Sequence, residues 1–161
     1  MREQLFTKMV IDAWHAKLNN ADTLLEQLTD EQLQKEVAPG RNRGIYILGH
    51  LAAVHDRMLP LLNLGEQLYP QLDESFITNP DKSDVPVYSV ADIRQYWKTI
   101  NAKLSSQFNA LTSEEWFQKH NAVTPEDFIK EPHRNRLNVL ISRTNHLSSH
   151  VGQLIFLKNK N

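Results

Sequence analysis

Cysteine is absent from this chain, and that single absence removes disulfide scaffolds, thiolate zinc sites and cysteine nucleophiles together. It also fits a reducing compartment, so a cytoplasmic location is expected. An excess of one charge is lacking too. Lys plus Arg number 18 against 19 Asp plus Glu, which leaves no field to hold nucleic acid or an anionic membrane. No stretch approaches the roughly 20 apolar residues needed to cross a bilayer. The start, Met1-Arg2-Glu3-Gln4-Leu5, has no apolar run of the signal-peptide kind. Strand signals are weak throughout: Pro86-Val87-Tyr88 is the best β-like fragment and is too short to start a sheet. There is no internal repeat and no low-complexity tract.

What remains is helical periodicity. The 161 residues suit one domain, 1–161, large enough to bury a core without cross-links. The first long helix is expected over Glu3–Leu28, with Leu5, Met9, Ile11, Trp14, Leu18, Ala21, Leu25 and Leu28 near 3.6-residue spacing. Thr29-Asp30-Glu31-Gln32 has the form of a capping box and predicts a short extra turn. The second helix is expected over Asn42–Leu64, loosened near Pro60 and ended by Gly65. The third starts after Ser89, an N-cap with Asp92 three residues on, and runs through Trp97 and Phe108 to about Leu111. The fourth starts after Asn135 and runs to about Leu157, with Leu137, Leu140, Ile141, Leu147, Val151 and Leu154 inward. Four such helices predict an all-α four-helix bundle. Two long connections, Tyr69–Tyr88 and Thr112–Arg134, are irregular apart from a turn at Ser113–Phe117. Phe76, Trp116, Phe117 and Phe128 give them apolar anchors, so packed lids are expected over loose linkers.

Chemistry concentrates in the histidines. His146 and His150 are four residues apart on the last helix, so both imidazoles can aim at one point. One more imidazole from another helix would make a three-nitrogen metal site with open positions. On the helical wheel His50 sits at the margin of its apolar stripe, as His146 and His150 do, which suits a metal at the wet mouth of a bundle. His55 lies nearer the middle of the same stripe and competes with His50 as third ligand. Its plainer reading is a core histidine bonded to a backbone carbonyl or a carboxylate. Leu147-Ser148-Ser149 separates the last pair, so the glutamate base of an HExxH protease is missing.

Gly49-His50-Leu51-Ala52 in the second helix and Asn145-His146-Leu147-Ser148-Ser149-His150-Val151-Gly152-Gln153-Leu154 in the last resemble the two metal-histidine segments of the DinB/YfiT-like superfamily. Helix count, helix order and length agree over nearly the whole chain. The resemblance implies a four-helix bundle with long crossover loops that binds a divalent metal, such as Zn, Ni or Fe, through His50, His146 and His150, and it selects His50 over His55. It also implies, for some members, transferase or isomerase chemistry that uses a low-molecular-weight thiol of the bacillithiol or mycothiol kind, while others have no assigned reaction. The expected function is a metal-dependent hydrolase or thiol-dependent transferase acting on a small-molecule substrate at the open three-histidine site. The alternative is a non-catalytic bundle that binds a metal or small ligand. The outer helix faces leave room for a homodimer.

Other residues carry weaker expectations. His15 and His55 are general-base candidates by residue type alone. Asp12, one turn before His15, has the chemistry to orient an imidazole, and Asn145 and Gln153 to bond within the site or face water. Gly49 and Gly152 each neighbour a proposed ligand, where a missing side chain would admit another helix or a substrate. Arg143 reads as a solvated surface residue, His120 and His133 as exposed, and Trp14 and Trp97 as core.

Overall fold

In a computed structural model, which describes residues 1–158, four long helices carry the chain, and the described residues contain no strand beyond two isolated bridges. The expected domain extends over 159–161, outside the described residues. The helix α1 spans Arg2–Gln27, α3 Gly44–Asp56, α5 Val90–Ala110 and α8 Arg136–Leu154. Between them lie the short helices α2 (Asp30–Leu33), α4 (Met58–Leu61), α6 (Ser113–Trp116) and α7 (Pro125–Lys130), and a π-helical turn at Glu74–Thr78. A 3-10 turn, Ile155–Leu157, follows α8. No helix among the described residues is long and apolar enough to cross a membrane.

The expected caps are present. Thr29 and Gln32 form the reciprocal capping box of α2, the Ser89 hydroxyl accepts from the Asp92 N–H, and the Asn135 amide oxygen accepts from the Asn138 N–H. Thr112 and Glu115 form a second capping box at α6. Each satisfies donors that a helix start leaves open.

The second long helix breaks earlier than expected, between Asp56 and Met58. Pro60 causes this from four residues downstream, because it has no N–H for the Asp56 carbonyl and its ring crowds that oxygen. The exit is then made by Asn63, whose φ of 58° takes the left-handed position expected of Gly65. Its neighbour Leu64 closes the turn on the Leu59 carbonyl at 2.8 Å.

α1 packs mainly on α8, α3 on α5, and α3 also on α8. Trp14, Leu48, Leu51, Ile93, Leu104, Phe108 and Leu140 fill the centre. The first turns of α1 depart from expectation: Leu5 and Met9 are exposed, and so is Ile141 on α8. A wheel identifies a face but not how far the partner helix reaches along it.

Both connections are packed. In the first, Asp81 is 4% exposed at its side chain. It takes the Arg43 backbone N–H at 2.7 Å, and its carboxylate is gripped by the Arg43 guanidinium at 2.6 and 3.1 Å. Burial alone would raise the Asp81 pKa, but the Arg43 donors outweigh it and hold the group below its ordinary value. The Tyr46 hydroxyl donates to the Asn79 carbonyl, Ser75 to that of Pro86, and Lys82 pairs with Glu36. Asp56, fully buried, accepts the backbone N–H groups of Leu68 and Tyr69 at 2.8 Å each.

In the second connection Trp116 is fully buried, and Asn121 ties the loop to the Pro60 and Leu61 carbonyls. The helix α7 was not expected; it starts on a Thr124 cap with Pro125 in its first turn and buries no residue, so it has no apolar period to read. Phe128 is half-buried and stands outside the core cluster.

Because Asp81 both accepts the Arg43 N–H just before α3 and neutralises the Arg43 guanidinium, Asp81→Ala should cost about 2–4 kcal/mol of stability, toward the lower end for breaking a buried pair since Arg43 keeps some solvent. Urea unfolding of the two proteins measures this, and a loss below about 0.5 kcal/mol contradicts the assignment.

Candidate metal centre

His50 on α3 meets His146 and His150 on α8 where the two helices pack. The His146 Nε2 lies 3.2 Å from the Nε2 atoms of both His50 and His150, and one nitrogen from each ring falls within 4.8 Å of the others. His50 has the right direction because its Nδ1 is held at 2.8 Å by the Phe76 carbonyl, from the π-helical turn. His150 is held in the same way, with Nδ1 at 2.8 Å from the Gln153 side-chain oxygen. The Tyr46 ring lies nearly parallel to His50, 9° between planes with centroids 6.4 Å apart.

Gly49 explains how Phe76 comes so close. A Cβ at this position would lie 2.4–2.6 Å from three atoms of the Phe76 ring, so the ring packs against bare backbone and brings its carbonyl to His50. The missing side chain therefore admits the lid, not a substrate. At Gly152 a Cβ would meet nothing within 4 Å, and the structure gives no reason for glycine there.

Hydrogen-bond logic tests whether the site suits a cation. A carbonyl and an amide oxygen only accept, so His50 and His150 each carry their proton on Nδ1. Both Nε2 atoms then turn bare lone pairs toward the His146 Nε2. One proton on that nitrogen satisfies one of them and leaves the other opposed. A cation satisfies all three. Metal–nitrogen bonds of about 2.0–2.1 Å imply nitrogen separations of roughly 2.9–3.4 Å for octahedral to tetrahedral angles, and the 3.2 Å contacts fall in that interval. The donor set and these two separations suit a divalent transition metal.

Electrostatics favours the neutral form of His146 and His150, the form a metal binds. Burial pushes His146 down to about 4, helped by the charges that His150, His50 and Arg143 would carry. Burial also lowers His150, against the Gln153 hydrogen bond.

A cleft of about 160 Å³, lined by Asn42, Tyr46, Ile47, His50 and His150, opens onto the cluster. Beside it runs a wider groove that includes Arg41, Gln153 and Phe156.

The remaining candidates are placed elsewhere. His55 is fully buried and gives its Nδ1–H to the Asn101 side-chain oxygen at 2.7 Å; it is a core histidine, though its partner is an amide. His15 lines a groove between α1 and α5 with Asp22 and Lys98. Asp12 pairs with Lys8 at 2.5 Å, so it orients no imidazole. Asn145 is exposed. Arg143 is not a solvated surface residue: it is half-buried, its Nε is buried without an acceptor, and burial lowers its pKa. His133 is exposed while His120 is half-buried. Trp14 and Trp97 are core, and Trp97 donates to Asp22 at 2.7 Å. The Phe76 carbonyl had no signal in the sequence, being a backbone atom 26 residues from its partner.

The family model of the DinB superfamily matches residues 13–154. The chain belongs to the DinB superfamily. Among solved structures, this DinB-superfamily chain is similar to that of a conserved protein from Enterococcus faecalis, with a TM-score of 0.63 and 16% identity over 94% of each chain. At that identity the likeness shows the fold alone. A search of curated proteins gave no match.

Two predictions follow from this geometry. Gly49→Ala should lower stability by about 1–3 kcal/mol through overpacking and release the Phe76 carbonyl from His50. Urea unfolding and the loss of a protected His50 Nδ1–H in NMR spectra check it. The second concerns pH. His55 is pushed down to about 3 by burial, against the Asn101 hydrogen bond, and His146 to about 4. The unfolded chain therefore binds more protons than the folded one from about pH 6.5 downward. The stability these rings contribute is complete above pH 6.5 and is lost as pH falls toward 4 and then 3. Each contributes a slope of up to about 1.4 kcal/mol per pH unit. Urea midpoints measured from pH 7 to 4 should fall, and less steeply in His146→Asn.

Proposed function

We propose that this DinB-superfamily protein binds one divalent transition-metal ion through the Nε2 atoms of His50, His146 and His150. The observation that carries the reading is the convergence of three imidazoles in which the Phe76 carbonyl and the Gln153 amide have already turned two lone pairs inward. Zinc, nickel and iron all suit three neutral nitrogens, and availability commonly decides among them.

A bound ion would supply Lewis acidity at its open positions. The chain's own residues do the rest. Phe76 and Gln153 hold the rings against rotation, and Tyr46 walls one side of the cleft that leads to them. Asn42 offers both a donor and an acceptor to a small molecule entering there. With no cysteine in the chain, a thiol nucleophile must come from a small molecule, and solvent is the other source we propose. Hydrolysis, or transfer of a group to or from such a thiol, is the reaction class we propose.

One observation favours a second reading. The five residues that line the cleft include no carboxylate, and His15 and His55 lie elsewhere, so among the described residues no general base lines the cleft. A bundle that holds a metal and a small ligand without turnover needs none.

Untagged protein purified without added metal should carry close to one equivalent of a first-row ion by elemental analysis. His50→Ala, His146→Ala and His150→Ala should each abolish it while keeping the helical circular dichroism. Saturating Zn²⁺ at 100 times its dissociation constant should stabilise the wild type by about 2.7 kcal/mol and leave the variants unmoved. A wild type that retains no ion and gains no stability removes the proposal.

A further inference from the structure

Behind the three rings, the interior dictates the protonation of a fourth. Asn101 donates from Nδ2 to the Trp97 carbonyl at 2.8 Å, so its oxygen is the atom turned toward His55 Nδ1, at 2.7 Å. An oxygen only accepts, and His55 therefore carries its proton on Nδ1 and presents a bare lone pair at Nε2. That Nε2 is buried and meets no donor. The Trp14 and Trp97 rings flank the imidazole, with centroids 4.8 and 4.9 Å away, so it has little freedom to turn.

His146 is the complement. With its Nε2 committed to a metal, its proton sits on Nδ1, a buried nitrogen that meets no acceptor. Arg143 Nε and Trp14 Nε1 are two more buried donors in the same condition. His146 and Arg143 are near enough for their charge to act on His55. One acceptor without a donor thus lies within charge range of two donors without acceptors, on His146 and Arg143, and against the ring that carries a third, Trp14. A single internal water, which donates twice and accepts twice, can join such groups and is a common component of protein interiors.

We propose that His55 is the positioning residue of the metal centre, its Nε2 receiving the Nδ1–H of His146 through one internal water. This rests on the three-histidine reading given above. The chain of contacts then runs from the Trp97 carbonyl through Asn101, His55 and water to a metal-facing ring. Such outer partners fix a ligand's tautomer and raise its basicity. A purely apolar role leaves unexplained why Asn101 fixes the one tautomer that turns a lone pair into this region, where leucine would fill the space between two tryptophans without a stranded polar atom.

The test uses the full chain and Co²⁺, whose visible absorption reports both affinity and ligand geometry. His55→Leu should weaken Co²⁺ binding roughly 10–100-fold and alter the band shape, while His55→Gln, whose amide oxygen offers an acceptor in the same direction, should recover most of the affinity. Long-range ¹H–¹⁵N spectra of the Zn²⁺-loaded wild type should show protons on Nδ1 of both His55 and His146, and this measurement decides the matter if a variant fails to fold. Wild type that binds no Co²⁺ overturns the metal site and this inference together. Wild type that binds, with His55→Leu within twofold of it or His55 protonated at Nε2, overturns the inference and leaves the site standing.

Discussion

The hydrogen bond from His50 to the Phe76 carbonyl joins the two halves of this molecule's logic. It belongs to the crossover, because Phe76 sits in the π-helical turn, and to the histidine cluster, because it decides which nitrogen of His50 is free. π-type turns release carbonyls from the usual ladder and recur at functional sites. Gly49 lets the ring approach, while the Arg43–Asp81 pair, the Tyr46 hydroxyl and Ser75 fasten the crossover on either side of it. A loosely tethered loop would leave His50 free to rotate, and three convergent lone pairs would no longer be enforced. The long connection is therefore part of the site's support.

The fold was largely legible because the signals that mark helices are local. Ser89, Thr29 and Asn135 cap the helices that their positions predicted, and Pro60 breaks the chain, though its effect falls four residues back on Asp56. What failed was whatever depends on the length of a partner. Leu5 and Met9 continue the α1 stripe in phase, yet no described element covers them. Helix α7 escaped notice for the opposite reason, since six residues with none buried carry a cap but no period.

The choice between His50 and His55 shows where a wheel stops. Five residues separate them, so they leave α3 about 140° apart. Periodicity alone cannot say which of two neighbouring helices each one faces. His50 looks toward α8 and meets His146, whereas His55 looks toward α5 and meets Asn101. The segment resemblance selected His50, and the packing of α3 against both helices supplies the physical reason for their different surroundings. Asn101 itself was invisible as a partner, because an asparagine inside an amphipathic helix has no pattern that marks it as buried.

The charge balance of the site constrains what a bound ion would attract. Three imidazoles are neutral ligands, so a divalent ion held by them keeps its full charge, unlike one held by thiolates or carboxylates. The cleft adds no carboxylate. Arg143, half-buried beside His146 with no acceptor on its Nε, adds a further positive charge at short range. Desolvation strengthens attraction to such a centre compared with bulk water. On the proposed reading, an anionic group in the open position would offset this excess, whether a thiolate, a carboxylate or an ionised water, and a cationic ligand would not. On that reading the absence of cysteine and of a carboxylate among the residues described around the cleft act in one direction: the protein would supply a positive, rigidly held centre, and the negative charge would come from the molecule that enters.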